Sequence, residues 1–140
     1  MSATLKPDLR NRIAGLSAVT AAGFAAYIDR LPQHQDDYKS VLIRRVGFNA
    51  NSTLEVDDDD LVTETFVIET RGKNSQTAES INDAIVDDLQ ALQGTNVGSS
   101  RTVMAVNVDD QTDGHEFDDF GDDSGNGIVT STFTIMHVPQ

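Results

Sequence analysis

The sequence predicts an α+β domain: a mostly antiparallel sheet of about four or five strands, packed by an N-terminal helix and one long amphipathic helix over about residues 77–93. Three observations carry this. Leu61–Thr70 is rich in β-branched residues, with Phe66 and Ile68 two apart on one side. From Ala78 the period changes, and Ile81, Ala84, Ile85, Leu89 and Leu92 recur at helical spacing up to Gly94, placed as a C-cap glycine. Finally, Thr130, Thr132 and Thr134 alternate with Val129, Ser131, Phe133 and Ile135, the pattern of a strand with one face buried. A chain of 140 residues has room for one core and not two, so the whole of 1–140 is read as a single domain.

In chain order, Pro7 is well placed in the first turn of a helix. Leu9, Ile13, Ala14 and Leu16 follow at three- and four-residue intervals, which predicts a helix over about 7–18. Phe24, Ala26 and Ile28 alternate as a short strand that Leu31-Pro32 must stop. Ser40–Phe48 reads as a strand with Val41, Ile43 and Arg45 on one face and Leu42, Arg44, Val46 and Phe48 on the other. Arg44 and Arg45 therefore point to opposite sides, one of them toward the packed face. A polar, acidic connection at about 49–60 ends in Asp57, Asp58, Asp59 and Asp60, with a length that suits a long hairpin loop. Leu61–Thr70 is the next strand, and Arg71-Gly72-Lys73-Asn74 is a turn before the long helix. Gly94–Ser100 is a small-residue loop. Arg101–Val108 is a strand with Met104, Val106 and Val108 on one side. Asp109–Gly127 has eight Asp or Glu and four Gly in 19 residues, an acidic loop too long for a simple connector. Ile128–Val138 closes the sheet.

Composition bounds the function. The net charge is −13 and the pI about 4.3. Binding nucleic acid through its phosphates needs cations to displace counterions, so this balance argues against it. It argues equally against docking on an anionic membrane. No apolar run approaches the roughly 18–20 residues that span a bilayer, and the N-terminal residues lack the apolar core of a signal peptide. The basic residues are biased toward the N-terminal third and the acidic ones toward the rest. Absence of cysteine excludes disulfides, thiolate nucleophiles and Cys-ligated zinc.

Candidate chemistry is thin. Asp122, Ser124, Asn126 and Gly127 match the opening of an EF-hand loop, but the bidentate Glu that must close it is replaced by Phe133. Successive aspartates at 57–60 alternate sides, which works against a chelate. His34, His115 and His137 lie far apart with no metal-binding spacing, and joint alanine substitution of the three is expected to leave function intact. No nucleophile elbow, Walker loop or dinucleotide fingerprint is present. The expectation is a protein that is not an enzyme, with no cofactor and no metal. Asp88 is the odd member of the long helix. It falls among Ala84, Ile85 and Leu92, either at the solvent edge of the apolar stripe or paired with an arginine: Arg44, Arg45, Arg10 or Arg12.

The order of these features resembles the tail-terminator (tail-completion) proteins of long-tailed phages, the family that includes the lambda minor tail protein U. The matching elements are the N-terminal helix, the turn Arg30-Leu-Pro-Gln33, the strand Val41–Val46 and the strand Thr63–Thr70. Arg71-Gly-Lys73 and an acid-rich helix that opens with Thr77-Ala-Glu79 follow, then a strand, an acidic hairpin and a closing strand. The likeness runs over about residues 5–138; the long acidic segment 109–127 departs from the simplest members. The resemblance implies a structural virion protein, made in the host cytoplasm. It would form a ring of its own copies, a hexamer, capping the head-proximal end of a tail tube. Its partners would be the tail tube protein and the head–tail connector protein, with DNA passing through the ring unbound and no membrane involved.

Under this reading Arg44, Arg45, Arg71, Lys73 and Asp88 would serve subunit contacts. Asp57, Asp58, Asp59, Asp60, Asp118, Asp119, Asp122 and Asp123 would line a lumen or rim, where carboxylates repel DNA. A head-side neck or connector protein is a close variant. An acidic monomeric binding module that mimics the charge of DNA is the alternative from another class, although loop-borne acid suits it poorly. A hydrolytic or metal-dependent enzyme is a further alternative, and the scattered histidines count against it.

Overall fold

The computed structural model describes residues 4–29, 39–51, 61–98, 101–116 and 126–139. Helices α1 (Lys6–Ala14) and α2 (Ser17–Ala21) precede strands β1 (Ala25–Ile28), β2 (Ser40–Asn51) and β3 (Leu61–Gly72). Helix α3 (Ser75–Gln90) and strands β4 (Asn96–Val97), β5 (Arg101–Glu116) and β6 (Asn126–Pro139) complete the chain. The strands form one sheet in the order β1-β2-β3-β6-β5-β4, antiparallel except for the parallel pair β1–β2.

This overturns the expected architecture. The sheet is not a four- or five-stranded antiparallel layer packed by an N-terminal helix and one long helix. Among the described residues it has six strands, is mixed, and curls into a half-barrel that outweighs the helices. Two physical reasons account for the difference. Strands β5 and β6 run on as one long hairpin, from Arg101↔Pro139 to Glu116↔Asn126, because backbone pairing tolerates the acidic side chains that made 109–127 read as a loop. Bulges then break the register between Arg45 and Gly47, Val103 and Ala105, and Val108 and Asp110. Each inserted residue adds local twist, and a long twisted sheet curls.

The bulge in β2 also corrects the expected faces. Arg45 is paired with Phe66 and Phe48 with Glu64, both on the side that carries Ile43 and Ile68. The extra residue at Val46 returns Phe48 to the face of Arg45, whose guanidinium lies 4.8 Å from the Phe48 ring centroid. In β5, Met104 falls in a bulge and is exposed, separated from the buried Val106 with which it was expected to share a side.

The core lies on one face of the sheet. Helix α3 crosses β3, β5 and β6, and α1 covers β1 and β2. Leu9 and Ile13 of α1, Ile81, Ile85 and Leu89 of α3, and the directly opposed pair Phe66 and Phe133 form one cluster with Val41, Ile43, Ile68 and Ile135. Burying a side chain of this size contributes about 1.5–3 kcal/mol. The single helix expected over 7–18 is broken at Gly15-Leu16: Leu16 takes an extended backbone (ψ 135) and packs its side chain on the core. Helix α3 opens with Asn74, whose side chain accepts from the Thr77 N–H at 2.8 Å.

Two glycines fix how α3 joins the sheet. β3 continues through Arg71 and Gly72, past the expected turn. A Cβ on Gly72 would stand 2.9 Å from the Ala78 backbone nitrogen, so only glycine admits the helix this close. Gly94 (φ +83) does not cap α3, which closes at Ala91. It turns the chain so that its N–H donates to the Val103 carbonyl at 2.9 Å.

Candidate assembly site

The uncovered side of the sheet is built by strand alternation. Thr63, Thr65, Val67, Glu69 and Arg71 of β3 oppose Met136, Thr134, Thr132, Thr130 and Ile128 of β6, and all ten are half-buried. No helix of the described residues packs on this side. Thr65 and Thr134 hydroxyls lie 3.5 Å apart, and Thr134 donates to the Asp109 carboxylate from the β5 bulge.

Beside this surface, at one end of the packed face, lies a buried polar clasp. Glu64 and His137 are both fully buried, and the His137 Nε2 stands 2.7 Å from Glu64 Oε1. Arg101 Nε donates to His137 Nδ1 at 2.9 Å and its Nη2 to the His137 carbonyl at 3.3 Å. Because a guanidinium can only donate, Nδ1 is an acceptor; the imidazole is neutral and gives its Nε2–H to Glu64. The same carboxylate accepts from the Leu5 N–H at 2.7 Å and the Thr4 hydroxyl at 2.6 Å, while Arg45 Nη1 approaches to 3.5 Å. Burial pushes the Glu64 carboxyl up, but the hydrogen bonds from His137, Thr4 and Leu5 outweigh it and hold the group below its ordinary value of 4.5. One carboxylate thus ties the start of α1 to β2, β3 and β6, and through Arg101 to β5. With both histidine nitrogens engaged and no exposed surface, the pair offers a substrate nowhere to bind.

The clasp was legible in part. Glu64 stands on the Val62, Phe66, Ile68 side of its strand, and His137 on the Phe133, Ile135 side of its own. A polar side chain on each of two apolar faces is the available signal; that they meet depends on the Glu64↔Ile135 register. Joint alanine substitution of the three histidines would therefore also remove a core element at His137.

The residues expected at subunit contacts are dispersed. Arg44 is exposed, and Arg45 belongs to the clasp. Arg71 Nε pairs with Glu69 at 2.6 Å. Lys73 is exposed beside Lys39, Asn74 and Thr77 in a shallow depression at the start of α3. Asp88 pairs with Arg12, one of the four partners considered, through two hydrogen bonds of 2.7 and 3.0 Å that pin α3 to α1. Asp57, Asp58, Asp59, Asp60, Asp118, Asp119, Asp122 and Asp123 lie outside the described residues. Phe133, where the EF-hand pattern needs a ligand, is fully buried in the core. Among the described residues no three His, Asp or Glu side chains converge as a metal site would require, and no helix is long and apolar enough to cross a membrane.

Among the described residues the large apolar side chains left exposed are Val46 at 59%, Met104 at 54% and Phe48 at 45%. They sit on β2 and β5, and none is in the central strands. No family model and no curated protein matches the chain. In fold, the chain is similar to a chain from the virion of a native gene transfer agent particle, with a TM-score of 0.63 over 97% of this chain and 95% of that chain, at 14% sequence identity.

Proposed function

We propose that this chain is a structural virion protein, not an enzyme, whose copies form a ring at the head-proximal end of a phage-like tail and join the tail tube to the head connector. The observation that carries this reading is the near end-to-end likeness in fold to a chain of a gene transfer agent virion. It agrees with the order of elements that resembles tail terminators, an inference made from different information. The charge of −13 fits a ring through which DNA slides without adhering. The exposed large apolar residues on β2 and β5 fit a subunit that contacts neighbours.

Electron microscopy of the purified protein, alone and mixed with tail tubes, tests the reading. Rings with a central hole, bound at one end of each tube, are the expected result. Rings that bind the head connector and leave tubes bare would move the protein to the neck. A monomer that binds a DNA-binding protein and ignores tubes would overturn the reading in favour of the charge mimic.

A further inference from the structure

The described sheet has two open edges. β1 pairs with β2 only over Ser40–Ile43, so from Arg44 onward β2 has β3 on one side and no strand of the described residues on the other. β4 pairs with β5 only at Arg101 and Thr102, and the Thr95–Val103 and Gly94–Val103 hydrogen bonds end that contact, which leaves β5 open from Met104 onward. The exposed Val46 and Phe48 stand on the first edge and Met104 on the second. Open edges of this kind invite another strand unless something blunts them.

The cross-sheet register shows what fits. Following the pairs from strand to strand, one row runs Arg44↔Val67↔Thr132↔Asp110, and another runs Asn49↔Thr63↔Met136↔Ala105. The open stretches of β2 and β5 therefore lie at the same level, and the two strands run in opposite directions. Rotation about an axis along the strands preserves both level and direction. It sets β2 of one copy antiparallel to β5 of the next, with Arg44 facing the partner copy's Asp110 on the uncovered side. Arg44 and Asp110 are both exposed, and among the described residues neither has a salt bridge or side-chain hydrogen bond. Asp109 beside Asp110 adds a second carboxylate.

The geometry points to a heterologous contact between copies of this chain, in which the β2 edge (44–49) of one subunit pairs with the β5 edge (105–110) of the next and Arg44 meets Asp110. The bulges and charges that would protect a lone edge instead select the pairing. β2 on β2 sets arginine against arginine, β5 on β5 sets aspartate against aspartate, and only β2 on β5 is complementary. Repetition of one such contact gives a ring when the rotation closes. The contact rests on the ring reading above and specifies its surface.

The absence of cysteine allows a clean trap. In the chain carrying Asn49→Cys and Ala105→Cys, opposed positions of an antiparallel pair come within reach of a disulfide. Mild oxidation should give covalent species larger than a dimer. Adding Asp110→Lys should cut their yield about tenfold, and adding Arg44→Glu to that variant should restore it, because both substitutions exchange the charges across one contact. Light scattering of the unmodified protein is run alongside. Rings in solution with no cross-linked multimers would overturn the edge contact and leave the ring reading standing. Neither rings nor cross-links would remove both. Multimers that Asp110→Lys leaves undiminished would overturn the assigned pair and with it the proposal.

Discussion

Replacing Glu64 with alanine removes the acceptor on which the buried clasp converges. The His137 Nε2–H and the Leu5 N–H, at 2.7 Å each, then have no acceptor in a region closed to water. Leaving a buried donor unsatisfied costs about 1–3 kcal/mol. The Thr4 hydroxyl is half-buried and Arg45 is a third exposed, so water compensates both and they add little. For the two donors the sum is about 2–6 kcal/mol. A domain of this size is stable by about 5–15 kcal/mol, so the variant should be severely weakened and still able to fold in the best case.

Urea unfolding followed by circular dichroism reads the effect as a lower midpoint at unchanged slope. Glu64→Gln keeps one oxygen for Leu5 and His137 and turns an amide toward Thr4, so it should cost only about 1–2 kcal/mol. A loss below about 1 kcal/mol for Glu64→Ala would refute the reasoning. The pH dependence supplies a second check. Glu64 is held below 4.5 in the folded protein, so its contribution is fully present above that pH and disappears as pH falls through the lower folded value. The stability gap between the parent protein and Glu64→Gln should be constant near neutrality and shrink in acid below 4.5. A gap that widens in acid would contradict the assignment.

Three further tests probe how the helices are fixed to the sheet and to each other. Gly72→Ala places a Cβ 2.9 Å from the Ala78 backbone and should cost about 1–3 kcal/mol by thermal or urea unfolding, because α3 must shift to admit it. Arg12 and Asp88 form a two-point pair with Arg12 40% exposed; a double-mutant cycle with alanine should give a coupling of only about 0.5–1 kcal/mol. The Ser131 hydroxyl donates to Asn82 Oδ1 at 2.7 Å in a buried contact between β6 and α3, and Ser131→Ala should cost about 1–2 kcal/mol, measured by hydrogen exchange or urea unfolding.

Periodicity located most elements because it reports which residues are apolar, and burial follows from that. The alternation in Ile128–Val138 marked the buried face of β6, and the spacing from Ile81 to Leu89 marked the face of α3. Where acidic or small residues dominated, composition was a poor guide. Strand pairing is made by the backbone, so Asp109–Glu116 belongs to β5 despite its charge, and two residues, Asn96 and Val97, suffice for β4.

The sequence by itself determined the composition of the two surfaces of the central strands, the net charge, and the presence of a misplaced carboxylate on the α3 stripe. The tertiary structure decided the rest. A bulge at Arg45/Gly47 reversed the face of Phe48, since one inserted residue inverts every side chain that follows. Register brought Glu64, His137 and Arg101 together from positions far apart in the chain, a juxtaposition that local spacing does not encode. The same register set Arg44 and Asp110 at opposite ends of one row, the placement on which the proposed contact between copies is built.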